Sequence, residues 1–243
     1  APMKNKYDII WLQNVDSTNE EARRRFSECD NLSVLSALSQ TSGKGQRGNS
    51  WSSEPGANLT FSIILKDGYR IKAYDQFVLS EITALSVIDF LSFHGIDSSI
   101  KWPNDIYIDK KKICGILVEN SLRGEFVSSS IIGIGLNINQ KNFDVNIPNP
   151  TSMSICQPDS DFDIRLCLEE FTEIFMANIS SVLSYRTDTE RLVSQASIKR
   201  SYLTNLLFLN EPTCFHEVKF SRKFRGIIRG ISPLGLIQIE DME

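Results

Sequence analysis

The sequence predicts an α+β fold, a mixed β-sheet with helices packed on it, followed by a small C-terminal β domain. Three observations carry that prediction. Short apolar runs of strand length outnumber the segments with helical spacing, the middle of the chain reads as consecutive strands joined by turns, and residues 212–239 hold only strand and turn patterns punctuated by Gly226, Gly230 and Gly235.

The elements follow in order. Residues 7–12 read as a first strand, and Asp16-Ser17-Thr18-Asn19-Glu20-Glu21 supplies N-cap residues with a glutamate three positions on, the capping-box start of a helix of roughly ten residues. Residues 34–37 form a short buried strand, 40–53 a glycine-rich polar loop and 58–65 a further strand. Phe77, Ile82, Leu85, Ile88 and Leu91 place a helix over 74–94. Strands at 106–108 and 113–118 are joined by an Asp109-Lys110-Lys111 turn, and 126–137 is another strand. Residues 142–150 are an Asn/Pro-rich turn, 164–184 and 189–199 are helices, and a domain boundary near 203–209 separates residues 1–204 from 205–243.

Composition bounds the function. The chain has 243 residues, of which 41% are hydrophobic, enough for one sizeable core plus an appendage rather than a disordered segment. A net charge of -4 gives no global basic field for nucleic acid. Five cysteines without a C-x-x-C pair argue against a disulfide framework and for a reducing compartment. No window approaches a membrane span and the N-terminal apolar stretch is too short for a signal peptide, so a cytoplasmic location is expected, with Met3 read as the native first residue.

Four segments carry chemistry. In the stretch from Gln40 to Trp51, Gly43, Gly45 and Gly48 let backbone amides approach an anion, while Lys44 and Arg47 are the only charges between Asp30 and Glu54. Such a loop either orders around a phosphate, with Trp51 stacked on a flat base, or stays solvated. It is not a P-loop, because Asn49 stands where the phosphate lysine must be. Lys101-Trp102-Pro103-Asn104-Asp105 sets an amide and a carboxylate at a proline-fixed corner, suited to a base or a hydrated cation and equally to an Asx turn opening a hairpin.

Lys112 stands at the mouth of an apolar strand whose Gly115 lets a ligand lie close to the sheet. A lysine there can neutralise a carboxylate and then the charge on a phosphoryl oxygen, or be one more solvated turn cation beside Lys110 and Lys111. Cys114 reads as a small core residue. Gly133-Ile134-Gly135-Leu136-Asn137 ends a strand but lacks the third glycine and the helix of a dinucleotide fingerprint, while Asn137 could ligate a cation or bond a nucleotide. His94 and His216 have no metal-ligand spacing with any cysteine and are read as structural.

Together, and in this order, Ser17-Thr18-Asn19, the loop from Gly43 to Trp51, Lys101 to Asp105 with Lys112 to Glu119, and Gly133 to Asn137 resemble the biotin–protein ligase family, in its short form without an N-terminal DNA-binding domain. The likeness is motif-level from Asp16 to Asn139 and pattern-level in the final strands. It implies the class II aminoacyl-tRNA-synthetase-like fold of biotin synthetases plus a C-terminal SH3-like barrel. It also implies a biotin–[acetyl-CoA-carboxylase] ligase that activates biotin with ATP and Mg²⁺ to biotinyl-5'-AMP. The biotinyl group then passes to a lysine of a biotin carboxyl carrier protein domain of a biotin-dependent carboxylase.

By the same likeness Ser17, Thr18, Asn19 and Gln40 bond the ureido ring, Gly43 contributes to biotin binding, Lys44, Gly45 and Gln46 line the adenylate, and Gly115, Leu117 and Gly133 wall the thioether ring and valeryl chain. Trp51 stacks on adenine, Asn104 and Asn137 meet the nucleotide or its magnesium, and Lys112, Arg47 and Asp105 are catalytic, Asp105 orienting the acceptor amine. Two departures stand out. Where the family loop often reads Gly-Arg-Gly-Arg, this chain has Gly43-Lys44-Gly45-Gln46, leaving Arg47 to supply the second charge, and the end at Glu243 leaves the barrel short of strands.

The segment before Asp16 is too short for a three-helix DNA-binding unit, so a repressor role is not expected. A lipoate–protein ligase is the nearer alternative, set aside because Ser17, Thr18, Asn19 and Gln40 suit a ureido ring. A non-catalytic biotin-binding module is opposed by the presence of Lys112, Asn104 and Asp105 together. Pairing of two copies into a homodimer through a sheet edge is left open.

Overall fold

A computed structural model of the chain describes residues 7–66 and 71–243. Met3, taken as the native first residue, lies outside them. In chain order the elements are β1 (Ile9–Val15), α1 (Thr18–Arg24), β2 (Val34–Gln40), β3 (Gly43–Lys44), β4 (Ser50–Trp51), β5 (Leu59–Leu65), α2 (Val78–Phe93), β6 (Ser99–Lys101), β7 (Asp105–Ile108), β8 (Lys111–Arg123) and β9 (Phe126–Leu136). Helices α3 (Met153–Cys156), α4 (Ile164–Leu183) and α5 (Asp188–Thr204) follow, then β10 (Pro212–Glu217), β11 (Arg222–Ile231) and β12 (Ile237–Asp241).

Seven strands form one sheet in the order β1-β2-β5-β9-β8-β7-β6. β1 runs parallel to β2 and the other neighbours are antiparallel, so the sheet is mixed. Alternation along the strands divides most of its residues between two faces. Phe61, Ile63 and Leu65 of β5 and Ile132, Ile134 and Leu136 of β9 face a core completed by α2 and α4. Phe61 meets Phe171 of α4 edge to face at 5.2 Å, and burying a side chain of that size contributes about 2–3 kcal/mol. The opposite face carries the smaller cluster of Ala22, Cys29, Leu35, Ile64 and Ile131 under α1. Beyond that cluster it carries Thr60, Ser62, Gly133, Gly135, Gly115 and Leu117, mostly polar residues or glycines, which leaves room above the sheet.

Several sequence expectations need revision. The capping box does not form, because Ser17 is the N-cap but its hydroxyl makes no capping bond, while Glu20 and Glu21 pair with Arg23, Arg24 and Arg25. β6 was not expected, being only three residues with one buried position, and β8 extends well past 118 because Ser121 to Arg123 continue the ladder with β9. With the turn before it, α2 forms the 21-residue stretch Ala73–Phe93, which holds an 18-residue window of mean hydropathy 1.4. A window of membrane-span length therefore does exist, contrary to the sequence reading, and 67% of it is buried within the protein. The C-terminal strands make an open three-stranded antiparallel sheet, β10-β11-β12, not a closed barrel among the described residues. Its Ile228 and Ile231 join the main core, and the turn after β11 reaches α2, where Gly235 lies against Phe77.

Because α2 is buried almost all round, its polar side chains need internal partners. Thr83 and Ser86 donate to carbonyls one turn back, at 2.6 and 2.8 Å. Glu81 is 2% exposed, and burial raises its pKa from 4.5 to about 7 despite Lys199, whose Nζ lies 3.8 Å away. The folded state thus holds a proton that the unfolded chain releases at lower pH, so this group favours folding fully below the unfolded value and progressively less as pH rises toward 7. Stability measured by urea denaturation should fall between pH 5 and 8 by up to ~3 kcal/mol, and Glu81→Gln should flatten that profile. An unchanged profile in the variant would place the titration elsewhere.

Candidate active site

The face of the sheet under α1 opens into a cleft of about 490 Å³. Its floor is a patch of missing side chains. Gly115 of β8 pairs with Gly135 of β9, and Leu117 pairs with Gly133, so three glycines share one face. A methyl at Gly133 would come within 2.5 Å of Asn19 Oδ1, and one at Gly115 within 3.2 Å of the Trp51 ring. Side chains there would fill the cleft.

At one end, α1 and β2 supply polar groups. The backbone N–H of Thr18 donates to Gln40 Oε1 at 2.9 Å, which fixes the Gln40 amide and leaves its Nε2 as a donor beside Gly43. Ser62 Oγ lies 2.8 Å from Thr18 Oγ1 and 2.6 Å from Asn19 Oδ1. One hydroxyl carries one proton and a carbonyl oxygen only accepts, so Ser62 donates to Asn19 and accepts a hydrogen bond from the Thr18 hydroxyl. Thr18 Oγ1 is left with lone pairs. Asn19 Nδ2 donates to Glu119 at 2.7 Å, and Arg23 pairs with that carboxylate at 2.5 Å.

At the other end stands Lys112. Strict alternation from Gly115 would place Ile113 on the cleft face and Lys112 in the core. A bulge prevents this: Ile106 pairs with Cys114 but Tyr107 with Lys112, leaving Ile113 unmatched and returning Lys112 to the glycine face. Ile113 is fully buried instead. The backbone of Lys112 is held by two bonds to the 142–151 segment, its N–H donating to Asn149 O at 2.7 Å and its carbonyl accepting from Thr151 N at 2.9 Å. Its ammonium lies 3.1 Å from Asp105 Oδ1 and 5.6 Å from the Trp51 ring centroid.

The loop over the cleft is a small hairpin, β3–β4, whose turn runs through Gln46–Gly48 with Arg47 and Gly48 both at positive φ, 53° and 80°. It lays the Trp51 indole across Gly115 and Gly135, with Nε1 buried and unpartnered. Lys44 Nζ pairs with Glu20 at 2.6 Å, a bond that holds the Glu20 carboxyl below its usual pKa, and Arg47 enters no ion pair among the described residues.

Most of the sequence-derived candidates come together here: Ser17, Thr18, Asn19, Gln40, Lys44, Gly45, Gln46, Arg47, Trp51, Asp105, Lys112, Gly115, Leu117 and Gly133 all line the cleft. Gly43 is buried behind Gln40. Asn104 and Asn137 are buried at 5% and 3% exposure beside β8, where Ile116 N donates to Asn104 O and Asn137 N to Ile113 O. Each keeps an Oδ1 without a partner. The sequence reading singled out the segment holding Gly135 without giving that glycine a role, and it missed Thr60 on the floor and Ser62 behind it, which strand alternation could have found once the face was known. It also missed His216, taken as structural, which reaches the rim from β10 and had no motif to mark it.

Comparison with known proteins agrees with this architecture. Residues 11–137 match the model of the biotin/lipoate A/B protein ligase family. The bifunctional ligase/repressor of Bacillus spizizenii is 37% identical over 138 residues, 56% of this chain, which spans 42% of that protein's length. The bifunctional ligase/repressor of Escherichia coli is 30% identical over 235 residues, 96% of this chain and 69% of that protein. The structure of the biotin protein ligase of Aquifex aeolicus in complex with biotin and ATP superposes with a TM-score of 0.76 at 26% identity, covering 97% of this chain and 95% of that one. The fold is that of the biotin protein ligases. A family match running from β1 to the end of the glycine strand, and a relative aligned over nearly the whole chain, make this protein a member of the biotin/lipoate A/B protein ligase family.

Proposed function

We propose that the protein is a biotin–protein ligase, which forms biotinyl-5'-AMP from biotin and ATP and passes the biotinyl group to a lysine of a biotin carboxyl carrier protein domain. The observation that carries this reading is the pairing, on one face of the sheet, of a fixed donor and acceptor at one end of a glycine floor with Lys112 at the other. Gln40 Nε2 and Thr18 Oγ1 complement a flat group that has both C=O and N–H, as a cyclic urea does. A dithiolane offers neither and would leave both polar groups unpaired. The Aquifex enzyme's complex with biotin and ATP supports the same pair of substrates.

Biotin's carboxylate would then lie along Gly133 toward Lys112, with the Trp51 indole displaced from Gly115, and there it attacks the α-phosphorus of ATP and pyrophosphate leaves. Lys112 and Arg47 offset the charge that gathers on the phosphate oxygens. An incoming anion competes with Asp105 for the Lys112 ammonium, which frees the carboxylate to accept a proton from the acceptor amine as that amine attacks the anhydride carbonyl and AMP leaves. Lys44, Gly45 and Gln46, with Trp51, cover the adenylate and exclude water. Mg²⁺ takes hard oxygen donors, and the unpartnered Oδ1 atoms of Asn104 and Asn137 are of that kind, so these residues fit such a cation. They would hold it, and it would supply further neutralisation of the phosphates.

Three outcomes are expected. Biotin, and not lipoate, should stimulate ATP–pyrophosphate exchange, and a carrier domain incubated with biotin and Mg²⁺-ATP should gain the biotinyl mass; the opposite cofactor preference overturns the reading. Lys112→Ala should lower exchange by ~10²-fold or more, about 3 kcal/mol of lost electrostatic stabilisation. Thr18→Val should raise the Kd for biotin roughly ten- to a hundredfold, since the lost acceptor leaves a buried N–H unpaired at ~1–3 kcal/mol, with little change for ATP. Equal losses for both substrates would remove Thr18 from the ureido contact.

A further inference from the structure

On the opposite face of the sheet from the cleft, the C-terminal end of α2 meets α4. His94, just past α2, places Nε2 2.7 Å from Glu170 Oε2 of α4. Cys167 lies one turn before Glu170 on the same helix, and the three ligand atoms all fall within 4.8 Å of one another. We propose that His94, Cys167 and Glu170 form a site for a single thiophilic divalent cation, Zn²⁺ in type, that braces α2 against α4.

The donor chemistry and the setting point the same way. One neutral imidazole, one carboxylate and one thiolate give a net charge of -2 that balances a divalent ion, and a nitrogen, oxygen and sulfur set suits a borderline-soft metal. Tetrahedral bonds of ~2.0–2.3 Å put ligand atoms roughly 3.3–3.8 Å apart, so the sulfur closes in slightly and the His94–Glu170 contact opens slightly. The imidazole is already aimed. Phe90, Phe93 and Phe162 contact its ring edge to face at 4.9, 5.2 and 5.7 Å, and Gln157 Nε2 donates to the His94 carbonyl at 2.6 Å. Cys167 is 2% exposed, whereas the His94 and Glu170 side chains are 19% and 23% exposed, so the ion enters from their side and a water fills the fourth position. Coordination displaces the thiol proton to the buffer.

Residues of the ligase cleft take no part, so metal binding and the ligase reaction can fail separately. Whole protein, freed of metal with a chelator and titrated with Co²⁺, should develop a near-ultraviolet thiolate-to-cobalt charge-transfer band that saturates at one ion per chain and is lost on adding Zn²⁺. Cys167→Ser should abolish the band, and His94→Gln, at the solvent edge of the site, should weaken Co²⁺ binding at least tenfold with an unchanged circular dichroism spectrum. Absence of the band from the unmodified protein, or its survival in Cys167→Ser, overturns the proposal.

Discussion

A single unmatched residue in β8 sets the chemistry of this molecule. Without the bulge at Ile113, the period of two would send the Lys112 ammonium into the core beside Cys114's neighbours and turn an isoleucine onto the glycine floor. With it, the cation shares a face with Gly115, Leu117 and Asp105. Keeping the bulge requires that the interrupted ladder find other partners, and the segment after β9 provides them through Asn149 and Thr151. A loop remote in sequence therefore fixes the backbone of the lysine.

The cleft is built by subtraction. Glycines at 115, 133 and 135 on adjacent strands remove side chains from one face while the other face of the same strands carries Ile116, Ile132 and Ile134 into the core. The sheet can thus be rigid beneath and hollow above. The vacancy is occupied by the Trp51 indole, whose buried N–H has no partner, and the nearby Asn104 and Asn137 oxygens are likewise unsatisfied. Unpaired buried polar atoms cost free energy, and a ligand that supplies partners to them recovers it.

Much of the site was legible in the sequence because glycines and asparagines are unusual in strands, and the order of these motifs, with Lys112 opening an apolar strand, matched one family. The helices α2 and α4 were legible from their spacing. What escaped depends on long-range pairing. The face of Thr60 and Ser62 is defined only by their register with β9, the bulge at Ile113 has no glycine to mark it, and the 142–150 segment looked like mere turn. His216 reaches the cleft only because the C-terminal sheet folds back over it.

That fold-back runs through one turn. Gly235 adopts a φ of +81°, lies against Phe77 at the N-cap of α2, and accepts a hydrogen bond on its carbonyl from the Trp102 indole at 2.8 Å. Trp102 belongs to the corner that presents Asp105, and Lys199 ties the same turn to α5 through Ser232. The last hairpin is thus a mechanical strut for a carboxylate on another sheet. Errors introduced near the carboxyl terminus would be felt as misalignment of Asp105, so truncation or crowding there would disable turnover without touching any residue that meets substrate.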